Sequence, residues 1–213
     1  MRERGIIFNA DMVRAVLDGR KTQTRRMLSP RQLKMIDAAS SIGECYPLES
    51  GKHHANSQSY YCEWCPFGAI GDRLWVRETF FPAPLEPQSV PPKKTKWNIA
   101  YRGGAQLEKI APATYNPTIY NYERWTPSIH MPRWASRITL EITGLRVERL
   151  NSMTESDALA EGCNGGHGSI PHYIYSATPH EHFHYIWQSI YGASSWQANP
   201  WVWVIEFRRI DND

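Results

Sequence analysis

At the end of the chain, Trp201 to Ile210 divides into two faces, with Trp201, Trp203, Ile205 and Phe207 on one side and Val202, Val204, Glu206 and Arg208 on the other. A period of two over that length predicts a strand. The same period recurs in two earlier stretches. In Arg73–Phe80, Leu74, Val76 and Phe80 oppose Arg73, Trp75 and Arg77; from Arg137, Ile138, Leu140 and Ile142 share a face. After Gly144 the apolar parity passes to Leu145 and Val147, the mark of a bulge at that glycine. Ile6, Ile7 and Phe8 form a short apolar run that reads as an opening buried strand.

Helical spacing appears between these strands. Met12, Val13, Val16 and Leu17 follow possible N-caps at Asn9 and Asp11, and Gly19 stands where a left-handed residue ends a helix. Thr154-Glu155-Ser156-Asp157 reads as a capping box opening a helix that runs to about Glu161, with Gly162 as its stop. Thr178-Pro179-His180-Glu181 is a second box, followed by Phe183, Ile186, Trp187, Ile190 and Tyr191 at helical spacing and closed by Gly192. About 29–70 and about 82–131 lack a sustained period, and they read as two irregular insertions. Scattered short helices among strands, with no βαβ rhythm and no repeat, predict an α+β mixed barrel forming one domain over 1–213.

Composition narrows the function. A chain of 213 residues can bury a core without staples, and a formal charge of only +3 confines any nucleic-acid affinity to a local patch. No apolar run reaches the length of a membrane span and Met1–Gly5 lacks a signal-peptide core, so the expectation is a cytoplasmic protein without a membrane partner. Four cysteines do not make a secreted framework. Cys62-Glu63-Trp64-Cys65, with Cys45 and His53 or His54, either forms a tetrahedral zinc site or consists of reduced thiols; the sequence assigns no metal and no organic cofactor. His180, His182 and His184 spread over more than one helix face and read as polar surface.

The densest chemistry is Gly19-Arg20-Lys21-Thr22-Gln23-Thr24-Arg25-Arg26, with four cations, two hydroxyls and a carboxamide. It is either an anion-facing or catalytic surface or a solvated turn behind the first helix. Arg73, Trp75 and Arg77 would present two guanidiniums flanking an indole, which either line a nucleotide-binding surface or decorate an exposed sheet face.

Leu17–Arg26 resembles the opening signature of ASCH-domain proteins, small β-barrels related to the PUA RNA-binding fold. Gly71–Val76, Ile142–Glu161 and Trp201–Phe207 resemble the later strands and helix of that family, and the elaborated length resembles its phage and prophage members. The resemblance implies a PUA-like barrel with short flanking helices and two long insertions. One bacterial member hydrolyses N4-acetylcytidine to cytidine and acetate; it is shorter and lacks the two insertions. Its functional lysine, threonine and glutamate match Lys21, Thr24 and Glu161 here, and Arg20, Thr22, Gln23, Arg26, Arg73, Trp75 and Arg77 would then contact a nucleoside or RNA. The expected activity is removal of an acyl group from a modified cytosine nucleoside. The alternatives are a non-catalytic RNA- or modified-nucleic-acid-binding module and a nuclease on the same fold.

The chemistry leaves two assignments open. Thr24 attacks with Lys21 as its base, or Lys21 stays charged and holds the oxyanion while Glu161 activates Thr24 or a water. Strand alternation sets a condition on both: Lys21 and Thr24 have opposite parity, so only a turn or kink around Thr22 and Gln23 puts them in one pocket. In a straight strand the catalytic reading of Lys21 with Thr24 fails, and Thr22 and Gln23 become candidates for base contacts instead.

Overall fold

The computed structural model describes residues 1–50, 55–85, 94–115 and 124–210. Its elements run β1 (Glu3–Ile7), α1 (Ala10–Leu17), β2 (Gln23–Met27), α2 (Pro30–Ser41), α3 (Ala55–Glu63), β3 (Arg73–Arg77), β4 (Phe80–Pro84), β5 (Thr95–Tyr101) and β6 (Gln106–Ala111). They continue as β7 (Thr139–Arg149), α4 (Glu155–Ala160), α5 (Pro179–Tyr191) and β8 (Trp201–Ile210). The protein is α+β. The described strands form two sheets and neither closes on itself, so the mixed barrel expected from the sequence is corrected to open sheets. Two compact units divide the chain: Met1–Asp18, Arg73–Leu140 and Arg209–Asp213 in the first, Gly19–Asp72 and Glu141–Arg208 in the second.

In the first unit, the Asn9 side chain accepts the Met12 N–H at 2.8 Å and starts α1, which buries Val13, Ala15 and Val16. β1 pairs in parallel with β3 from Glu3↔Arg73 to Ile7↔Arg77. Leu74, Val76 and Phe80 are buried, as their alternation requires. The second expected insertion is not irregular, for β4, β5 and β6 form an antiparallel sheet within it. Its proline-rich start is compatible with a strand because β4 is an edge strand, where Pro82 and Pro84 leave no interior hydrogen bond unmade. Phe80, Trp97, Ile99, Tyr101, Met131 and Ala135 make its core. Beside them Arg137 pairs with buried Glu78 at 2.8 Å and lies 4.3 Å from the Tyr101 ring.

In the second unit, β7, β8 and β2 are neighbours in that order. β8 sits between two strands and is covered on both faces, so Val202, Trp203, Val204 and Ile205 are all buried and the alternation seen in sequence does not separate core from solvent. The boxes Thr154/Asp157 and Thr178/Glu181 open α4 and α5 as expected. Ala158, Phe183 and Trp187 pack with Leu150, Met153, Val202 and Val204. The first expected insertion also contains regular structure. Ser29 and Gln32 form a capping box for α2, with Pro30 in its first turn, and Ile36 and Ala39 are the residues it buries. On α3, the Gln58 amide donates to the Val147 carbonyl at 3.0 Å and accepts its N–H at 2.9 Å, so a side chain satisfies backbone groups there as a neighbouring strand would. No helix among the described residues is long and apolar enough to cross a membrane.

Candidate functional site

The chemistry of the second unit gathers where β2 meets the end of α4. β2 runs antiparallel to β8, with Gln23↔Glu206, Thr24↔Ile205 and Arg25↔Val204. The extended backbone continues upstream: Phe207 N–H donates to the Thr22 carbonyl and Thr22 N–H to the Ala160 carbonyl, both at 2.8 Å, and Lys21 bridges Glu161. Lys21, Gln23 and Arg25 therefore share one face. Thr24 has the opposite parity and is buried, and the backbone runs extended through Thr22 and Gln23, so the expected shared pocket of Lys21 and Thr24 is not formed.

The inward face is an ionic network. Lys21 Nζ donates to Glu161 Oε2 at 2.7 Å and to the Glu161 carbonyl at 2.9 Å. The side chains of this pair are only 1% and 3% exposed, which shuts out bulk water. Arg25 holds the other oxygen, Glu161 Oε1, at 3.3 Å, and reaches Glu148 at 2.6 Å and Asp157 at 3.4 Å. Gln23 Nε2 donates to the carbonyl and to Oδ1 of Asp157, each at 3.1 Å. Arg146 closes the circuit to Glu148 at 3.0 Å, to Asp157 at 3.2 Å and to Glu206. Three cations thus face four carboxylates within one buried to half-buried cluster. Arg25 Nε is buried and has no acceptor among the described residues.

Electrostatics follow from this packing. Burial pushes Lys21 below the usual lysine range, Glu161 pulls it back up, and Arg26 adds to the lowering. Burial alone would raise Asp157, yet the Thr154 N–H, Gln23, the Thr154 hydroxyl and Arg25 together hold its carboxyl well below the usual range. Two positions after Glu161, burial pushes the Cys163 thiol up to about 12, so it is not a thiolate at neutral pH.

Of the residues singled out in sequence, the structure joins Lys21 with Glu161. Gln23 is buried and its amide is engaged by Asp157. Arg20 and Thr22 are exposed, and Arg20 donates to the Gly162 carbonyl at 3.1 Å. Arg26 is half-buried and donates to the Arg25 carbonyl at 3.2 Å. Arg73, Trp75 and Arg77 belong to the first unit. There Trp75 is half-buried between Arg77, 5.4 Å from its ring, and Arg133, at 6.0 Å, while Arg77 donates to the carbonyls of Ser128 and Ile129.

The thiols take ordinary partners. Cys45 Sγ lies 3.8 Å from the Ile36 carbonyl and Cys62 Sγ 3.4 Å from that of Leu145, and burial pushes Cys62 up to about 11. Among the described residues no group of three His, Cys, Asp or Glu side chains is placed to hold a metal ion; His53 and His54 lie outside the described residues.

Sequence reasoning passed over Arg146 and Glu148, and it read Arg25 only as one of four clustered cations and Asp157 only as part of a helix cap. A signal existed for Arg25: on a strand, it must share the side of Lys21 and Gln23. The others come from β7 and α4, and nothing local points them at β2. Comparison of the chain with protein families, with characterised proteins and with solved structures finds no match.

Proposed function

We propose that this chain is an ASCH-like amidohydrolase that removes an acyl group from N4 of a modified cytosine nucleoside, and that Lys21 and Glu161 are its central pair. The supporting observation is the 2.7 Å contact between these two buried side chains, which stand at the positions the family resemblance assigns. An ammonium and a carboxylate from distant parts of the chain meet in a water-poor site, and such sites strengthen electrostatic stabilisation of a developing charge.

In this reading Glu161 takes a proton from a water as the water oxygen attacks the acyl carbon. Lys21 holds the oxyanion that forms, and Arg25 Nε–H, buried and without an acceptor among the described residues, supplies a second donor. Collapse of the tetrahedral species breaks the C–N bond, and the proton on Glu161 passes to the departing N4, giving the free cytosine amine and a carboxylic acid that then loses its proton to water. The attack is given to water because strand parity turns Thr24 away from the pair. In this reading the base and one water must reach this enclosed pair, and the movement that admits them is assigned to the adjoining stretch, where Gly162, Gly165, Gly166 and Gly168 all have positive φ. A nucleic-acid-binding role has less to draw on, because Lys21 and Arg25 point into carboxylates rather than toward phosphates.

The test follows the acyl chromophore of N4-acetylcytidine during incubation with the protein. Turnover is expected in the parent chain and in Thr24→Val. Lys21→Met and Glu161→Gln are expected to lose at least about a hundredfold in kcat/KM. An inactive parent chain, or full activity in both the Lys21 and Glu161 variants, overturns the proposal.

A further inference from the structure

A cavity of about 240 Å3 opens in the second unit, away from the residues of the ionic network, between α2, the turn at Leu48–Ser50 and the start of β8. Leu33, Ile36 and Leu48 provide apolar wall, Trp201 an indole, and Asp37 and Glu49 two carboxylates. The helix places Leu33, Ile36 and Asp37 on one side of α2 by their i, i+3, i+4 spacing. Also in the lining, Trp201 Nε1 donates to Glu49 Oε1 at 3.1 Å, Arg149 donates to the same oxygen, and the Arg149 guanidinium lies 4.4 Å from the indole centroid. Indole and carboxylate are thereby fixed in orientation. The hydrogen bonds from Arg149 and then Trp201 hold the Glu49 carboxyl below the usual carboxylate range, so it is charged at neutral pH. Both bonds fall on Oε1, and the Asp37 carboxylate has no hydrogen-bond donor among the described residues.

A lining of apolar side chains with two carboxylates suits one ligand chemistry: an aliphatic body with a cationic head. Arg149 pairs with Glu49, so Asp37 is the carboxylate without a cationic partner among the described residues; its charge disfavours anions, and the apolar wall gives a bare inorganic cation nothing to desolvate against. Size sets the scale, since a cavity of about 150 Å3 accommodates benzene.

We propose that this cavity binds a small free alkylammonium, a chain of about four to six carbons lying along Leu33, Ile36 and Leu48 beside Trp201 with its ammonium between Asp37 and Glu49. The site is independent of the hydrolytic reading, because neither Lys21 nor Glu161 lines it.

Calorimetric titration of the full chain with n-pentylamine tests this, alongside n-pentanol as the neutral isostere and Nα-acetyl-lysine amide as a stand-in for a lysine of another protein. Saturable binding of pentylamine is expected, weakened at least about tenfold in Asp37→Asn and about tenfold or more for pentanol. Asp37 is exposed, so its variant keeps the fold, and its N4-acetylcytidine turnover should equal that of the parent chain. Equal affinity for pentanol, unchanged affinity in Asp37→Asn, or no saturation by tens of millimolar overturns the proposal. Tighter binding of the lysine derivative than of pentylamine overturns the assignment to a free amine.

Discussion

Lys21 carries the sharpest consequences of any single residue. Its ammonium is enclosed with Glu161, so replacing it by methionine leaves a buried carboxylate with Arg25 as its remaining cationic partner. Breaking a buried pair from one side costs about 3–5 kcal/mol. Urea denaturation of Lys21→Met is expected to show a loss of that order, and the double variant Lys21→Met/Glu161→Leu should lose less than the sum of the two single changes. Additive losses would mean that the two side chains do not interact. Gly144 gives a second prediction. A Cβ there would come within 2.5 Å of Glu206 Oε2 and 3.2 Å of Glu206 Cβ, so Gly144→Ala should displace Glu206 from Arg146 and cost about 1–3 kcal/mol, read from the same denaturation curves.

Among the elements, α4 couples fold and site most directly. Its capping box uses Thr154 and Asp157, and the same Asp157 accepts from Gln23 and pairs with Arg25 and Arg146. The folded-state pKa of Asp157 lies below its unfolded value of about 3.9. Stability from this group is therefore present above about pH 4 and is lost as pH falls toward the folded value. Asp157→Asn is expected to be less stable than the parent at pH 7, with the difference shrinking at about pH 3 and below; a constant difference across that range would show that the charge is not the source. The elements were unevenly legible. α1, α4 and α5 could be read because a cap, a period and a glycine stop coincide. α2 carries a comparable box at Ser29–Gln32, but it buries little beyond Ile36 and Ala39, so its apolar stripe is too thin to register as a period. β4 was hidden by Pro82 and Pro84, which local rules count against a strand and which an edge position tolerates.

At the scale of the whole molecule, a formal charge of +3 offers little long-range attraction for a polyanion, and two of the four cations in the Arg20–Arg26 stretch are turned inward. Single-stranded RNA is thus expected to bind no more tightly than about 10⁻⁶ M at physiological salt, the non-specific range, in a filter or anisotropy assay. Nanomolar binding would favour the nucleic-acid-binding reading over the hydrolytic one. By itself the sequence determined the strands around Leu74, Leu140 and Trp203, the three capped helices and the cationic stretch that holds Lys21, because local periods and caps are written in neighbouring residues. Tertiary structure alone decided that the described sheets stay open, that β8 is covered on both faces, and that Glu148 and Asp157 join Glu161 around Lys21 and Arg25. Those carboxylates lie more than a hundred positions from the cations they meet, and no local pattern encodes which distant charge fills the space beside a buried one.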